Sequence, residues 1–276
     1  MPAPQSSMMK QFARLKFSSN SLRVPEGWSD PQGDPAAKQY SDAFKPSEKS
    51  TSPAMVAPPL FTAASMNKYH TDVQKMLTSK FGAFIDGITA AICSAWGQWQ
   101  QSATMTGLVV TGPVVSLGMF VPIPITPLIL SSAPMSTPQE MKYSKTVATV
   151  VGTAWATYTA SIKVLAPLAF PGYAANPPGP ALPVPNVPIA LASCIQVPVG
   201  MMAPALAAQM IGQHGDPKAQ YHKELFGAIA DGVGQCFTTW MGSTMFNNLK
   251  VIGANPSPVT PGPVAGTAIL PPGGVT

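Results

Sequence analysis

His70, His222, Cys93 and Cys236 are the residues of this chain with the widest chemical reach. A Tyr-His pair stands at 69–70 and again at 221–222, and one of the two thiols follows each pair. Brought together about a pseudo-twofold axis, they would suit zinc, which takes about four such ligands. Zinc sites usually draw at least two ligands from one short stretch, however, and no two of these residues are close in sequence. The expectation is therefore no metal: the histidines belong to a first helical turn or its cap, and the cysteines are small core residues.

Asp86-Gly87 and Asp231-Gly232 are a second candidate, since two facing carboxylates can hydrolyse a glycosidic bond. The plainer reading makes each aspartate a solvated helix residue beside a glycine that lets another helix approach. Nucleophilic catalysis would need a serine or cysteine with a histidine and an acid. His70, His214 and His222 are present, but G-x-S-x-G and the local cysteine signatures are not. "GPVAG" and "PPGGVT" lack the lysine and the following helix of a phosphate-binding loop. No catalytic residue and no cofactor are expected, and the chain reads as a non-enzyme.

The elements that would position these residues are three helices of similar pattern. Phe84, Ile88, Ile92, Trp96 and Trp99 step by four, four, four and three, which keeps them on one helix face. The same steps recur at Tyr143, Val147, Val151, Trp155 and Tyr158, and at Leu225, Ile229, Val233, Phe237 and Trp240. Each helix ends in an aromatic-x-x-aromatic pair followed by an apolar extended segment: "GLVVTGPVV", "IKVLAPLAF" and "NLKVIGANP". Trp96, Trp99, Trp155, Tyr158 and Trp240 could stack a ligand. They share the face that carries Ile and Val, so core packing, together with Phe237, is the expectation. Ser136 or Thr137, with Pro138 and Glu140, marks one helix start, and Asp216-Pro217 marks another. A shorter helix is expected over about 201–211.

Between the helices run proline-rich apolar stretches. "PGYAANPPGPALPVPNVP" (171–188) has no charged side chain, and its Tyr173, Leu182 and Val184 suit a ribbon laid in a groove. Residues 113–130 and 255–272 read the same way, because proline is disfavoured in a central strand. The expected fold is thus mainly α, with long extended Pro-rich arms and some short β-strands. Its divisions would be an N-terminal arm over 1–62, a helical core over 63–254 with pseudo-repeats at about 68–135, 136–200 and 216–254, and a Pro/Gly-rich tail over 255–276.

Composition bounds the role. Of 276 residues 32 are proline and only 10% are charged, against roughly 5% proline and about 25% charge in an average soluble domain. Residues 87–139 and 164–215 contain no Asp, Glu, Lys or Arg. Prolines break both runs too often for a spanning helix, so a membrane is not the expected partner. The net charge of +5 is not clustered on a phosphate-tracking face, so nucleic acid is not expected either. Three widely spaced cysteines fit reduced thiols, and the N-terminus lacks the apolar core of a secretory signal. A chain with little charge to cover a free surface is expected to hide that surface against neighbours. The role that follows is a structural subunit made in the cytoplasm and built into a phage or phage-tail-like particle. Its partners would be copies of itself and other particle proteins. The alternative is a membrane-active, pore-forming or holin-like protein.

Overall fold

The computed structural model describes residues 3–20, 63–216 and 221–276, with side chains in the long second helix described from Lys75 onward. The chain divides into two compact units, residues 1–19 with 84–276, and residues 20–83. Helix α1 (Ser6–Ser19) opens the first unit, and α2 (Ala63–Ser102) enters it at Phe84. The strands β1 (Met105–Thr111) and β2 (Val114–Phe120) form a hairpin, followed by the short α3 (Thr126–Leu130), α4 (Pro138–Ser161) and β3 (Val164–Ala166). The ribbon holds β4 (Gly179–Pro180) and leads to β5 (Ile189–Ala190), α5 (Ala203–His214) and α6 (His222–Ser243). The chain ends with β6 (Met245–Phe246), β7 (Lys250–Asn255) and β8 (Ala265–Leu270).

The main sheet is antiparallel, with order β3-β2-β1-β8-β7-β4, and β5 pairs with β6 separately. The fold is mixed, 54% helical and 19% strand. That corrects the expectation of a mainly α protein with long extended arms. Prolines bracket the strands rather than interrupt them. β2 lies between Pro113 and Pro122, and β8 between Pro263 and Pro271, so each keeps every ladder donor it needs inside the sheet. Pro180 sits in β4 at the sheet edge, where a missing N–H is tolerated.

The N-terminal end of the expected arm is also a helix. Met9, Ala13 and Phe17, at four-residue spacing, bury one face of α1 against α6. Outside that face, the Arg14 guanidinium donates two hydrogen bonds of 2.7 Å to Asp86 on α2. The rest of the expected arm, residues 21–62, lies outside the described residues.

α6 is the central helix. Leu225, Phe226, Ile229, Ala230, Val233, Cys236, Phe237 and Trp240 are buried along one broad face, while Lys223, Gln235, Thr238 and Thr239 stay exposed on the other. Gly232 makes one close approach possible, because a Cβ there would stand 2.8 Å from the Met9 carbonyl oxygen of α1. Gly234 faces the start of α5, where a Cβ would stand 2.8 Å from the Ala203 nitrogen.

Thr137 caps α4 in a reciprocal box: its hydroxyl accepts from the Glu140 N–H and its own N–H donates to the Glu140 carboxylate, both at 3.1 Å. Asp216 does not cap α6. That helix starts at His222 behind Tyr221, whose φ is 57°, and Asp216 instead accepts from Lys142 at 2.8 Å. α5 runs past the expected end near residue 211 and stops at Gly215, whose φ of 62° closes it in the left-handed conformation.

Candidate functional site

The three aromatic pairs converge. Trp155 of α4 lies with its ring centroid 4.6 Å from Trp96 and 4.8 Å from Trp99 of α2, and 5.4 Å from Trp240 of α6. Tyr158 meets Phe237 edge to face at 4.8 Å. All six rings are essentially buried. Tilted and T-shaped contacts place positive ring edges on negative faces, each adding about 0.5–1.5 kcal/mol beyond the area buried. The cluster backs onto the sheet through Phe120 of β2, 5.3 Å from Trp99. Its indole nitrogens are served unequally. Trp240 Nε1 donates to Gln100 Oε1 at 3.1 Å, and Gln100 Nε2 donates to the Val275 carbonyl at 3.2 Å. Trp96 Nε1 and Trp155 Nε1 have no acceptor among the described residues. The rings fill one another's space, so the geometry is that of a core and not of a ligand box.

The proline-rich ribbon is held by its own subunit. Tyr173, buried and stacked on Phe170 at 4.8 Å, donates its hydroxyl to the Leu182 carbonyl at 2.6 Å, and burial raises its pKa. The Ala181 N–H donates to the Gly253 carbonyl at 2.8 Å, tying the ribbon to β7. Asn186 clamps the far end: its amide donates to the Phe246 carbonyl at 3.1 Å and its oxygen accepts from the Leu249 N–H at 3.0 Å. These few bonds fix a segment with little internal hydrogen bonding, and Leu182, Val184 and Val187 are left exposed.

The sheet carries a surface that the sequence reading missed. Its inner face, with Leu108, Val110, Val115, Val164, Ala268 and Leu270, is buried. On the outer face, register places Leu165, Ser116, Val109, Thr267 and Ile252 in one row across β3, β2, β1, β8 and β7. Leu165 is 54% and Ile252 72% exposed. Met119 and Ile269 are exposed beside that row, and Lys250 is the one charged side chain among the strand residues of this face. In β2 the alternation breaks at Leu117, whose φ of 66° turns its side chain outward.

Of the residues that suggested chemistry, Cys93 lies near Cys236 and His214 near His222, while Asp86 and Asp231 are each held by a partner of their own. Asp86 is bound by Arg14, and Asp231 accepts from Gln235 one turn along α6 at 2.6 Å. The glycine after each faces a neighbour, Pro134 at Gly87 and α1 at Gly232. Cys93, Cys194 and Cys236 are free and buried. Burial pushes the Cys93 thiol up to about 12, aided by the nearby Cys236, and the Cys194 and Cys236 thiols up to about 11. The His70 side chain lies outside the described residues. Among those described, no three His, Cys, Asp or Glu side chains come together as a metal site.

His214 ends α5 inside a stack. It lies 4.7 Å from Tyr143 with the rings 5° from parallel, and 5.7 Å from His222. Its Nδ1 is 3.5 Å from the Thr146 hydroxyl, and its Nε2 has no partner among the described residues. Burial lowers its pKa, the positive charges of Lys142 and His222 lower it further, and Asp216 opposes them.

No protein-family model, no curated protein and no solved structure matches the chain.

Proposed function

We propose that this chain is a non-enzymatic structural subunit of a multi-subunit particle of the phage or phage-tail-like kind, in which it contacts copies of itself and other particle proteins. Capsid, tail, baseplate and contractile injection apparatus are the particle classes it fits. One observation carries the reading. The segments without charge reach the surface, where they present Val109, Met119, Leu165, Leu168, Leu182 and Val197 to solvent. Isolated exposed apolar residues are ordinary, but contiguous ones with few charges among them mark contact surfaces. The core is tightly packed beneath them, which suits a rigid part that binds without changing shape.

Fractionation of cells that encode the chain tests the reading. The chain should sediment with large particles visible by electron microscopy, in fixed proportion to the other components. Recovery as a free soluble protein alone contradicts it.

A second reading, insertion into a membrane, is favoured by one observation: Lys75–Ser102 of α2 is long and apolar enough to cross a bilayer, with a mean hydropathy of 1.2. Insertion would have to pull Trp96 and Trp99 out of the aromatic cluster. Leakage of dye from liposomes on addition of the purified chain would support this reading over assembly.

A further inference from the structure

We propose that the outer face of the six-stranded sheet is the surface through which two copies of this chain pair, sheet against sheet. The inference rests on the reading of the chain as a particle subunit and names the surface it uses first. Three properties of the face select another copy as the occupant.

The first is charge. Val109, Met119, Leu165, Ile252 and Ile269 are exposed on the face, threonine and serine lie between them, and its charges are two lysines at opposite sides, Lys250 in β7 and Lys163 just before β3, whose ammonium donates to the Gly118 carbonyl at 3.2 Å. A partner with a charged surface would lose the hydration of its charges here and find no counter-charge to replace it. An identical face brings no acid, and because Lys163 and Lys250 lie at opposite sides of it, a twofold rotation that crosses the strands can keep the lysines of the two copies at the rim of the contact.

The second is extent. Four strands of six or seven residues, spaced about 4.8 Å apart and rising about 3.3 Å per residue, present roughly 400 Å² in projection. Ile195, bridged to Lys163 just before β3 and 60% exposed, continues the surface past one edge. The four strands alone give about half of the about 800 Å² per partner of a standard interface, so the pairing is of the weaker, concentration-dependent kind.

The third is geometry. The inner face of this sheet is already buried, so a second sheet on the outer face completes the layered arrangement in which both faces of a sheet are buried, with an inter-sheet distance of about 10 Å. The pairing closes on itself and leaves the ribbon and the helices free to contact other particle proteins.

The test uses the full chain. Its mass is measured by light scattering over a range of concentrations, beside a variant carrying Leu165→Glu and Ile252→Glu and a control carrying Leu182→Glu on the ribbon. Both sheet residues are solvent-facing, so the variant should keep the wild-type far-UV spectrum. Wild type and control should pair alike, and the sheet variant should weaken pairing at least 100-fold. Oxidative footprinting of the wild type needs no variant. Met119 on the sheet should be protected at pairing concentrations, and Met141 on α4 should not.

A sheet variant that pairs like the wild type, or a Met119 equally oxidised in both states, overturns the assignment of the face while leaving self-association standing. A wild type that is monomeric at every concentration overturns the inference and weakens the particle reading with it. A monomer that binds phosphatidylcholine vesicles through Met119 and Ile252 assigns the face to lipid and overturns the inference.

Discussion

Replacing Trp155 with phenylalanine should cost almost nothing, whereas the same replacement at Trp240 should be expensive. Each removes the same piece of a buried indole, about 40 Å³, and at about 24 cal/mol per Å³ of cavity the packing loss is about 1 kcal/mol in both. The polar terms have opposite signs. Trp155 Nε1 is buried without an acceptor among the described residues, so its removal relieves an unmet donor worth about 1–3 kcal/mol. Trp240 Nε1 donates to the buried Gln100 Oε1 at 3.1 Å, so its removal takes a partner from a buried acceptor and adds about 1–3 kcal/mol of destabilisation. Trp155→Phe should lie between wild type and about 2 kcal/mol above it, and Trp240→Phe about 2–4 kcal/mol below it. Urea unfolding followed by far-UV circular dichroism, with unchanged m-values, gives both numbers. Equal losses in the two variants would refute the reasoning about the indole donors.

Three other perturbations separate parts of the fold. Gly232→Ala should destabilise by about 1–3 kcal/mol, because its Cβ would stand 2.8 Å from the Met9 carbonyl oxygen. Gly227→Ala on the same helix, with nothing within 4 Å, should stabilise by about 0.5–1 kcal/mol; thermal melts of both variants check the pair. Tyr173→Phe removes the 2.6 Å bond to the Leu182 carbonyl and should cost about 1 kcal/mol, with faster hydrogen exchange confined to the ribbon near Ala181–Leu182. His214 titrates below the ordinary histidine value because of burial, Lys142 and His222, with Asp216 opposing. A group with a depressed folded pKa lends stability above the unfolded value, near 6.5, and loses it as pH falls further. Stability measured by urea unfolding should therefore decline below about pH 6.5, and His214→Phe should flatten that decline.

The helices were legible in the sequence because each keeps one face apolar over four to six turns. Their terminal aromatic pairs read as core residues from the face they share with Ile and Val, but that Trp96, Trp155 and Trp240 meet one another was not readable from that face. The sheet was not legible, for two reasons. Prolines at 113, 122, 263 and 271 set a tone that hid the proline-free windows between them. Period-two alternation was also blurred, since β1 and β2 carry Val, Leu or Met on both faces and β2 breaks step at Leu117. The same loss of contrast concealed the exposed face, because an outer strand face that is itself apolar leaves no polar residue to announce it. α1 was missed because proline and charge around it resemble a disordered arm, although Met9, Ala13 and Phe17 already showed its period. Residues 171–188 were recognised as an apolar ribbon, but not that Tyr173 and Asn186 would anchor it to its own subunit, since those partners lie on other segments.

Native mass spectrometry of the purified wild-type chain tests the central claim most directly. The account predicts dimers and multiples of them at micromolar concentration, retained when salt is raised to about 1 M before transfer to the spray buffer, because apolar contacts are not screened. A spectrum of monomers alone across that range would contradict it.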